Sequence, residues 1–272
     1  MVHHALVNVL EPIYERSFIA DSYACRTGKG THAAVRRCQE FARRFRYVLK
    51  ADVQKFFPSL DHEILKARLA RNVKDPNVLW LANRIIDSSN PQEEAINYFP
   101  GDDLFTPGER RRGIPIGNQT SQFFSNVYLD PLDHFVKDLL GIAGYVRYVD
   151  DFLVFSDDKQ QLAEVREQIR VLMVSLRLRL HPKKNVIAPV KNGVRFLGYR
   201  VFPTHRLLPK ENVRRFLRRV RVMQHEYAAG AISIADVSQR VSSWIGHALQ
   251  ADTFQLRCRL FATISFQRAA SQ

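Results

Sequence analysis

Apolar and polar positions along this chain keep two different periods. From Thr31 to Arg44 the apolar residues fall at Ala34, Cys38 and Phe41, with Phe45 just beyond. That spacing predicts an amphipathic helix with Arg36, Arg37, Arg43 and Arg44 around its other faces. Residues 5–18 predict an apolar helix interrupted by Pro12, residues 65–86 one or two helices, and residues 162–178 an amphipathic helix. The stretch from Tyr47 to Val53 reads instead as a buried strand that ends in an acid, Asp52. Residues 145–148 and 152–155 read as two short strands rich in Val, Tyr and Phe, and residues 194–200 as another strand or hairpin. Ser59 or Asp61, with Glu63 close behind, marks a helix start. Residues 88–109 form an irregular, partly acidic excursion containing Pro91, Pro100 and Pro107 with Glu93, Glu94, Asp102 and Asp103. From His205 onward the pattern is helical, with no strand expected. Val213, Phe216, Leu217, Val220, Met223 and Tyr227 make one apolar stripe. Val237, Val241, Trp244, Ile245 and Ala248 make a second, begun by a Ser233-x-x-Asp236 cap.

The costliest feature of this pattern is the acidic pair Asp150-Asp151 between two apolar strands. Desolvation and mutual repulsion both disfavour the charged forms, so such a pair takes up a proton or finds a cation. A tight hairpin lifting both side chains to a sheet edge lets a divalent metal compensate them. The alternative is a β-turn whose Asp residues satisfy backbone donors. Asp52, leaving its own strand, joins them if the strands are neighbours, and three carboxylates at one spot suit a divalent ion. Arg26 and Lys29 sit in a loop with Gly28 and Gly30 that holds either a phosphate or only solvated charges. Gly117, in the Gly/Pro turn of residues 113–122, permits close approach of a base pair or sugar.

Length and charge narrow the class. The 272 residues, 46% hydrophobic and 25% charged, suffice for one large domain or two modest ones. No apolar run approaches the roughly 18–20 residues of a membrane span, and no signal peptide is expected at the start of the chain. Cys25, Cys38 and Cys258 are scattered, fit neither a disulfide framework nor a zinc site, and suit a reducing cytoplasm. The net charge of +14 favours a polyanionic partner, nucleic acid rather than membrane. Residues 205–272 hold eleven Lys and Arg against four Asp and Glu, half of that excess. Arg214, Arg215, Arg218, Arg219 and Arg221 dominate it and fit a phosphate backbone.

Five pieces in order carry a family resemblance: Asp52 with Phe56-Phe57, Gly117-x-x-x-Ser121-Gln122, Tyr148-Val-Asp-Asp151, Pro182-Lys-Lys184 and Phe196-Leu-Gly198. Together they resemble a reverse transcriptase of the bacterial retroelement type. Tyr23-x-x-Arg26-x-Gly28-Lys29 and Ser243-Trp-Ile-Gly-His247 extend the likeness over essentially the whole chain. It implies an α+β right-hand polymerase, with fingers and an antiparallel palm sheet over residues 1–205 and a helical thumb over 206–272. It also implies an RNA-directed DNA polymerase. Asp52, Asp150 and Asp151 would hold two Mg²⁺ ions, with Mn²⁺ able to substitute, and Lys184 would stand near the leaving group. Arg26 and Lys29 would contact the incoming deoxynucleoside triphosphate, and Phe57 would reject a 2′-hydroxyl. Ile116, Gly117 and Gln122 would lie by the nascent base pair, on a template RNA and its cDNA/RNA hybrid.

Within that class, Ile116-Gly117-x-x-x-Ser121-Gln122, Phe99-Pro-Gly-Asp-Asp-Leu-Phe105 and Asn126-Val-Tyr-Leu-Asp-Pro-Leu-Asp-His134 resemble the enzymes of diversity-generating retroelements. This implies error-prone copying of a template-repeat RNA, with errors opposite adenine, and a small basic helical accessory protein as partner. Group II intron and retron enzymes, by contrast, carry Gln-Gly-x-x-x-Ser-Pro in that block. The resemblance begins inside a finger motif and extends to the thumb, with no nuclease or maturase segment expected after it. An incomplete finger segment also leaves open a nucleic-acid-binding protein that keeps the fold without the activity.

Overall fold

The computed structural model describes residues 1–89 and 97–268. Residues 90–96 of the excursion, with Pro91, Glu93 and Glu94, lie outside the described residues, as do 269–272. The chain divides into two compact units, Met1–Val190 and Lys191–Gln272.

An antiparallel sheet organises the first unit. Its strands are β1 (Tyr47–Asp52), β2 (Gly144–Tyr148), β3 (Asp151–Ser156) and β4 (Val186–Pro189), in the order β2-β3-β1-β4. β3 lies between two neighbours and is covered on both faces, so Phe152, Leu153, Val154 and Phe155 are all buried. That is why its sequence reads as an unbroken apolar run rather than an alternation. Gly144 opens β2 where a Cβ would stand 2.8 Å from the Phe155 Cβ and from the Phe45 ring. Only a glycine fits that approach without movement.

The helices of this unit are α1 (Val2–Tyr14), α2 (Thr31–Arg44), α3 (Phe56–Ser59), α4 (His62–Asn72), α5 (Pro76–Asp87), α6 (Thr106–Glu109), α7 (Gln119–His134) and α8 (Lys159–Ser175). α1 continues through Pro12, because a proline there removes one hydrogen bond near the end of a helix already buried by Leu6, Val7 and Leu10. Asp61, rather than Ser59, caps α4 by accepting from the Ile64 amide. α7 is the most deeply buried helix, carrying Phe123, Phe124, Val127, Tyr128, Leu129 and Leu132 into the core. It ends in a wide turn closed by the Leu140 amide on the Phe135 carbonyl at 2.9 Å.

In the second unit a three-stranded meander, β5 (Val194–Phe196), β6 (Tyr199–Val201) and β7 (Arg206–Leu207), precedes α9 (Lys210–Ala228), α10 (Ile234–Ala248) and α11 (Phe254–Phe261). β7 corrects the expectation of no strand after His205. Two residues are too few to show a period, and pairing with β6 alone makes them a strand. The Tyr199 hydroxyl donates to the His247 carbonyl at 2.9 Å, and the Asp252 amide donates to the Arg206 carbonyl at 2.8 Å. These bonds tie the meander to the helices, so the division expected after residue 205 falls inside this unit. Phe216 stacks on Trp244 at 3.8 Å, and Ser233 and Asp236 form the expected capping box. Among the described residues no helix is long and apolar enough to cross a membrane.

Candidate active site

The register of two strands brings the acidic residues together. β1 pairs antiparallel with β3 so that Asp52 lies directly opposite Asp151. β2 pairs with β3 so that Tyr148 faces Asp151, leaving Val149 and Asp150 as a two-residue turn. Val149 takes a φ of 55°, a left-handed conformation rare for a β-branched residue and costly by roughly 1–3 kcal/mol. The Val53 amide donates to the Asp150 carbonyl at 3.3 Å, and the His181 amide to the Asp52 carbonyl at 2.8 Å. Both bonds hold the strand ends through the backbone and leave the carboxylates to other partners.

Two lysines face the three acids. Lys184 Nζ lies 3.3 and 3.2 Å from the two Asp52 oxygens, and Lys50 Nζ lies 3.0 Å from Asp151 Oδ2. Asp151 Oδ1 is shielded from solvent and has no hydrogen-bond partner among the described residues. Burial, reinforced by repulsion from Asp52 and Asp151, pushes the Asp150 carboxyl up to about 6. Burial also raises Asp151, opposed by Lys50. Three acids against two lysines thus leave negative charge uncompensated at a desolvated sheet edge.

That donor set is all carboxylate oxygen, which suits a hard divalent cation. Among the described residues no three Asp, Glu, His or Cys side chains converge as a ready-made metal cage. Mg²⁺ does not demand one: it is commonly held by one or two carboxylates, substrate phosphates and water. The orphaned Asp151 oxygen and the raised Asp150 fit such an ion.

The neighbouring loops are tied to this edge. The Ile114 amide donates to the Phe57 carbonyl at 3.1 Å and the Gly113 amide to the Leu60 carbonyl at 2.8 Å, so Phe57 and the Gly117 turn belong to one assembly. Ile116 is 71% exposed there, and Gly117 has a φ of 105° with open space around it. Gln122 accepts from Cys25 Sγ at 3.2 Å, and both line a cavity of about 350 Å³ with Arg26 and Thr27.

Two residues expected at a triphosphate are engaged within the protein. The Arg26 side chain is 5% exposed and pairs with Glu15 at 2.8 Å while donating to the Ile19 and Ser22 carbonyls. Lys29 Nζ donates to the Ala20 carbonyl at 2.7 Å and stands over the Tyr23 ring. As placed, Arg26 orders its own loop. The five arginines of α9 are all exposed on the second unit.

Sequence reasoning missed several residues. Lys50 shares a β1 face with Asp52 by the two-residue period, a signal present in Lys50-Ala-Asp52. Arg147 and Asp133, each 0% exposed, form a bidentate pair beneath the hairpin, with Arg147 also reaching the Val149 carbonyl. A lone arginine inside an apolar strand was the signal, but its partner sits on α7. The excursion motif serves local order: Asp102 accepts from the Phe99 amide and pairs with Arg110, and Asp103 caps Phe105 and Thr106.

A profile of the reverse transcriptase (RNA-dependent DNA polymerase) family matches residues 1–201. Among curated proteins, the chain is 27% identical over 241 residues to "Protein YkfC" of Escherichia coli, covering 74% of this chain and 60% of that protein. It is 20% identical over 262 residues to "Group II intron-encoded protein LtrA" of Lactococcus lactis, covering 73% of this chain and 42% of that protein. The chain therefore spans less than two thirds of either relative. Among solved structures, apo telomerase from Candida tropicalis superimposes with a TM-score of 0.55 at 16% identity, over 76% of this chain and 45% of that one. That likeness shows the shared α+β polymerase fold.

Proposed function

The chain belongs to the reverse transcriptase (RNA-dependent DNA polymerase) family, and from that premise we propose that it extends a DNA strand on an RNA template. The observation that carries this reading is the pairing of Asp52 with Asp151 across β1 and β3, with Asp150 on the adjoining turn and Lys184 against Asp52. Asp52, Asp150 and Asp151 are the residues to hold two Mg²⁺ ions. Such ions, when bound, activate a primer 3′-hydroxyl and neutralise the triphosphate and leaving pyrophosphate. The chain's own residues hold the remaining geometry. Lys184, whose side chain is 53% exposed, is free to follow a leaving phosphate once Asp52 is otherwise engaged. Phe57 is the residue to exclude a 2′-hydroxyl by bulk. The exposed arginines of α9 follow the backbone of the hybrid.

The finer reading we propose is a diversity-generating retroelement enzyme, supported by Ile116 and Gln122 around the Gly117 turn. The accessory protein and template-repeat RNA belong to that reading. A group II intron-type enzyme is the second reading, favoured by the likeness to the Lactococcus protein. The two separate on errors. A glutamine at Ile116 adds a polar contact worth about 0.5–1.5 kcal/mol, or several-fold to roughly tenfold in discrimination. Ile116→Gln is expected to lower misincorporation opposite template adenine more than opposite the other bases. Sequencing cDNA made by both proteins on a defined RNA, with an accessory protein supplied if extension needs one, checks this. A wild-type enzyme accurate at adenine selects the intron-type reading, and no cDNA at all removes the polymerase reading.

A further inference from the structure

We infer that Arg147 is a positioning residue for the catalytic turn, holding Val149 in its left-handed conformation and thereby setting where Asp150 presents its carboxylate. The inference rests on the polymerase reading above and deepens it.

The guanidinium divides its donors between two tasks. Nε donates to Asp133 Oδ1 at 2.7 Å and Nη2 to Asp133 Oδ2 at 2.6 Å, a bidentate grip that fixes the plane of the group. Nη1 is thereby aimed along β2 toward the turn, where it donates to the Val149 carbonyl at 3.0 Å and to Asn126 Oδ1 at 3.2 Å. Each anchor is itself held. The Tyr145 hydroxyl donates to Asp133 Oδ1 at 2.7 Å, and Asn126 Nδ2 to the Ala24 carbonyl at 2.8 Å. The Arg147 backbone is clamped too: its amide donates to the Asp21 carbonyl and its carbonyl accepts from the Tyr23 amide, both at 3.0 Å. With both Arg147 and Asp133 fully buried, no solvent competes for the bonds between them, and the bond to the Val149 carbonyl is partly shielded.

The Val149 carbonyl lies in the peptide plane that leads into Asp150. Holding that oxygen restrains the plane and with it the Asp150 N–Cα bond, and the Val53 amide on the Asp150 carbonyl at 3.3 Å restrains the next plane; the two together set the direction in which the Asp150 Cβ leaves the backbone. A valine does not hold a φ of 55° unaided. Arg147 touches no carboxylate of the triad in these bonds, so its effect on catalysis passes through the turn.

The test is a cycle between Arg147→Lys and Val149→Asn in the full chain. Lysine keeps a charge against Asp133 but has no second arm for the turn. Asparagine accepts the left-handed conformation without help. Arg147→Lys is expected to lower kcat for primer extension about tenfold, or about 1.4 kcal/mol, with nucleotide KM changed less than about twofold. Mn²⁺ affinity, read by electron paramagnetic resonance, is expected to weaken about fivefold, or about 1 kcal/mol. In the Val149→Asn background the same substitution is expected to cost about threefold or less in kcat, since the turn then needs no holder. An undiminished loss in that background, with both proteins melting as the wild type does, overturns the inference and leaves Arg147 a fold-stabilising residue. So does an unchanged kcat in Arg147→Lys. If Arg147→Lys does not melt cooperatively, Arg147→Gln combined with Asp133→Asn removes both charges together, and the same comparison applies. A wild-type chain that makes no cDNA overturns the polymerase reading instead. Mn²⁺ affinity then still decides the inference, and an unchanged value in Arg147→Lys overturns it.

Discussion

At the scale of the residue, electrostatic cost and chemical purpose coincide. Asp150 has its carboxyl raised to about 6 by burial and by its acidic neighbours, a condition that serves stability poorly. Asp150→Asn is therefore expected to leave the melting temperature unchanged or higher in the absence of divalent ions. Primer extension is expected to fall by more than the roughly 10–100-fold typical of losing an outer partner of a metal site. A circular-dichroism melt and an extension assay on the same sample check both halves, and retained synthesis would remove Asp150 from the metal-holding set. Asp130 offers a contrast away from the chemistry. Burial, with repulsion from Asp133, raises its carboxyl to about 6 against the attraction of His134, Arg147 and Arg68. The folded chain holds this proton more tightly than the unfolded one. The resulting stability is present below the unfolded pKa of 3.8 and is lost as pH rises through about 6. At about 1.4 kcal/mol per pH unit, Asp130→Asn is expected to gain at most about 2–3 kcal/mol near pH 8 and little near pH 4. Denaturant melts at the two pH values measure it, and an equal gain at both would assign the effect to packing.

At the scale of the element, β2 and β3 work as one device. Their pairing places Asp151 opposite Asp52, while the turn between them carries Asp150. The device depends on close approach at its far end, where Gly144 meets Phe155 and Phe45. Gly144→Ala inserts a methyl with no room, and overpacking of this kind costs about 1–3 kcal/mol. Because Gly144 faces Phe155 in the register, strain there pushes the two strands apart from the end remote from the acids. We expect a lower midpoint in urea with an unchanged slope, and a melt indistinguishable from wild type would show that Phe45 yields freely. α9 illustrates the opposite economy. Phe216, Val220 and Met223 bury one stripe, and Arg214, Arg215, Arg218, Arg219 and Arg221 stay exposed on the same helix.

At the scale of the whole molecule, charge is distributed unevenly, with half of the +14 in residues 205–272. Arg214, Arg215, Arg218, Arg219 and Arg221 are exposed, and none takes part in the ion pairs found among the described residues. If they track phosphates, neutralising two of them weakens binding of every hybrid sequence alike. The slope of log affinity against log salt then flattens by roughly 0.7–0.9 per lost contact. Fluorescence anisotropy across a salt series is the measurement, and an unchanged slope returns these residues to a solvated face.

The periods of apolar residues marked the helices and strands, because they are local properties written within a few positions, and the order of motifs carried the family resemblance that implied the fold class and singled out the acidic residues. The Val, Tyr and Phe on either side of Asp150-Asp151 read as two strands joined by a tight turn, and Asp52 ends a stretch that reads as a buried strand. The helix cap at Ser233 and the stripes of α9 and α10 were legible for the same reason. Tertiary structure alone decided what those residues meet. The register of β1 on β3 made Asp52 and Asp151 direct partners, and the fold brought Lys184 to Asp52 from 132 positions away. It turned Arg26 inward to Glu15, where a loop rich in glycine and cations had left a bound phosphate and solvated charges both open. Arg147 found Asp133 only because β2 lies over α7, and that pair reaches back to the turn. A side chain's type is fixed by its codon, but its partner is fixed by chain crossings that carry no local period.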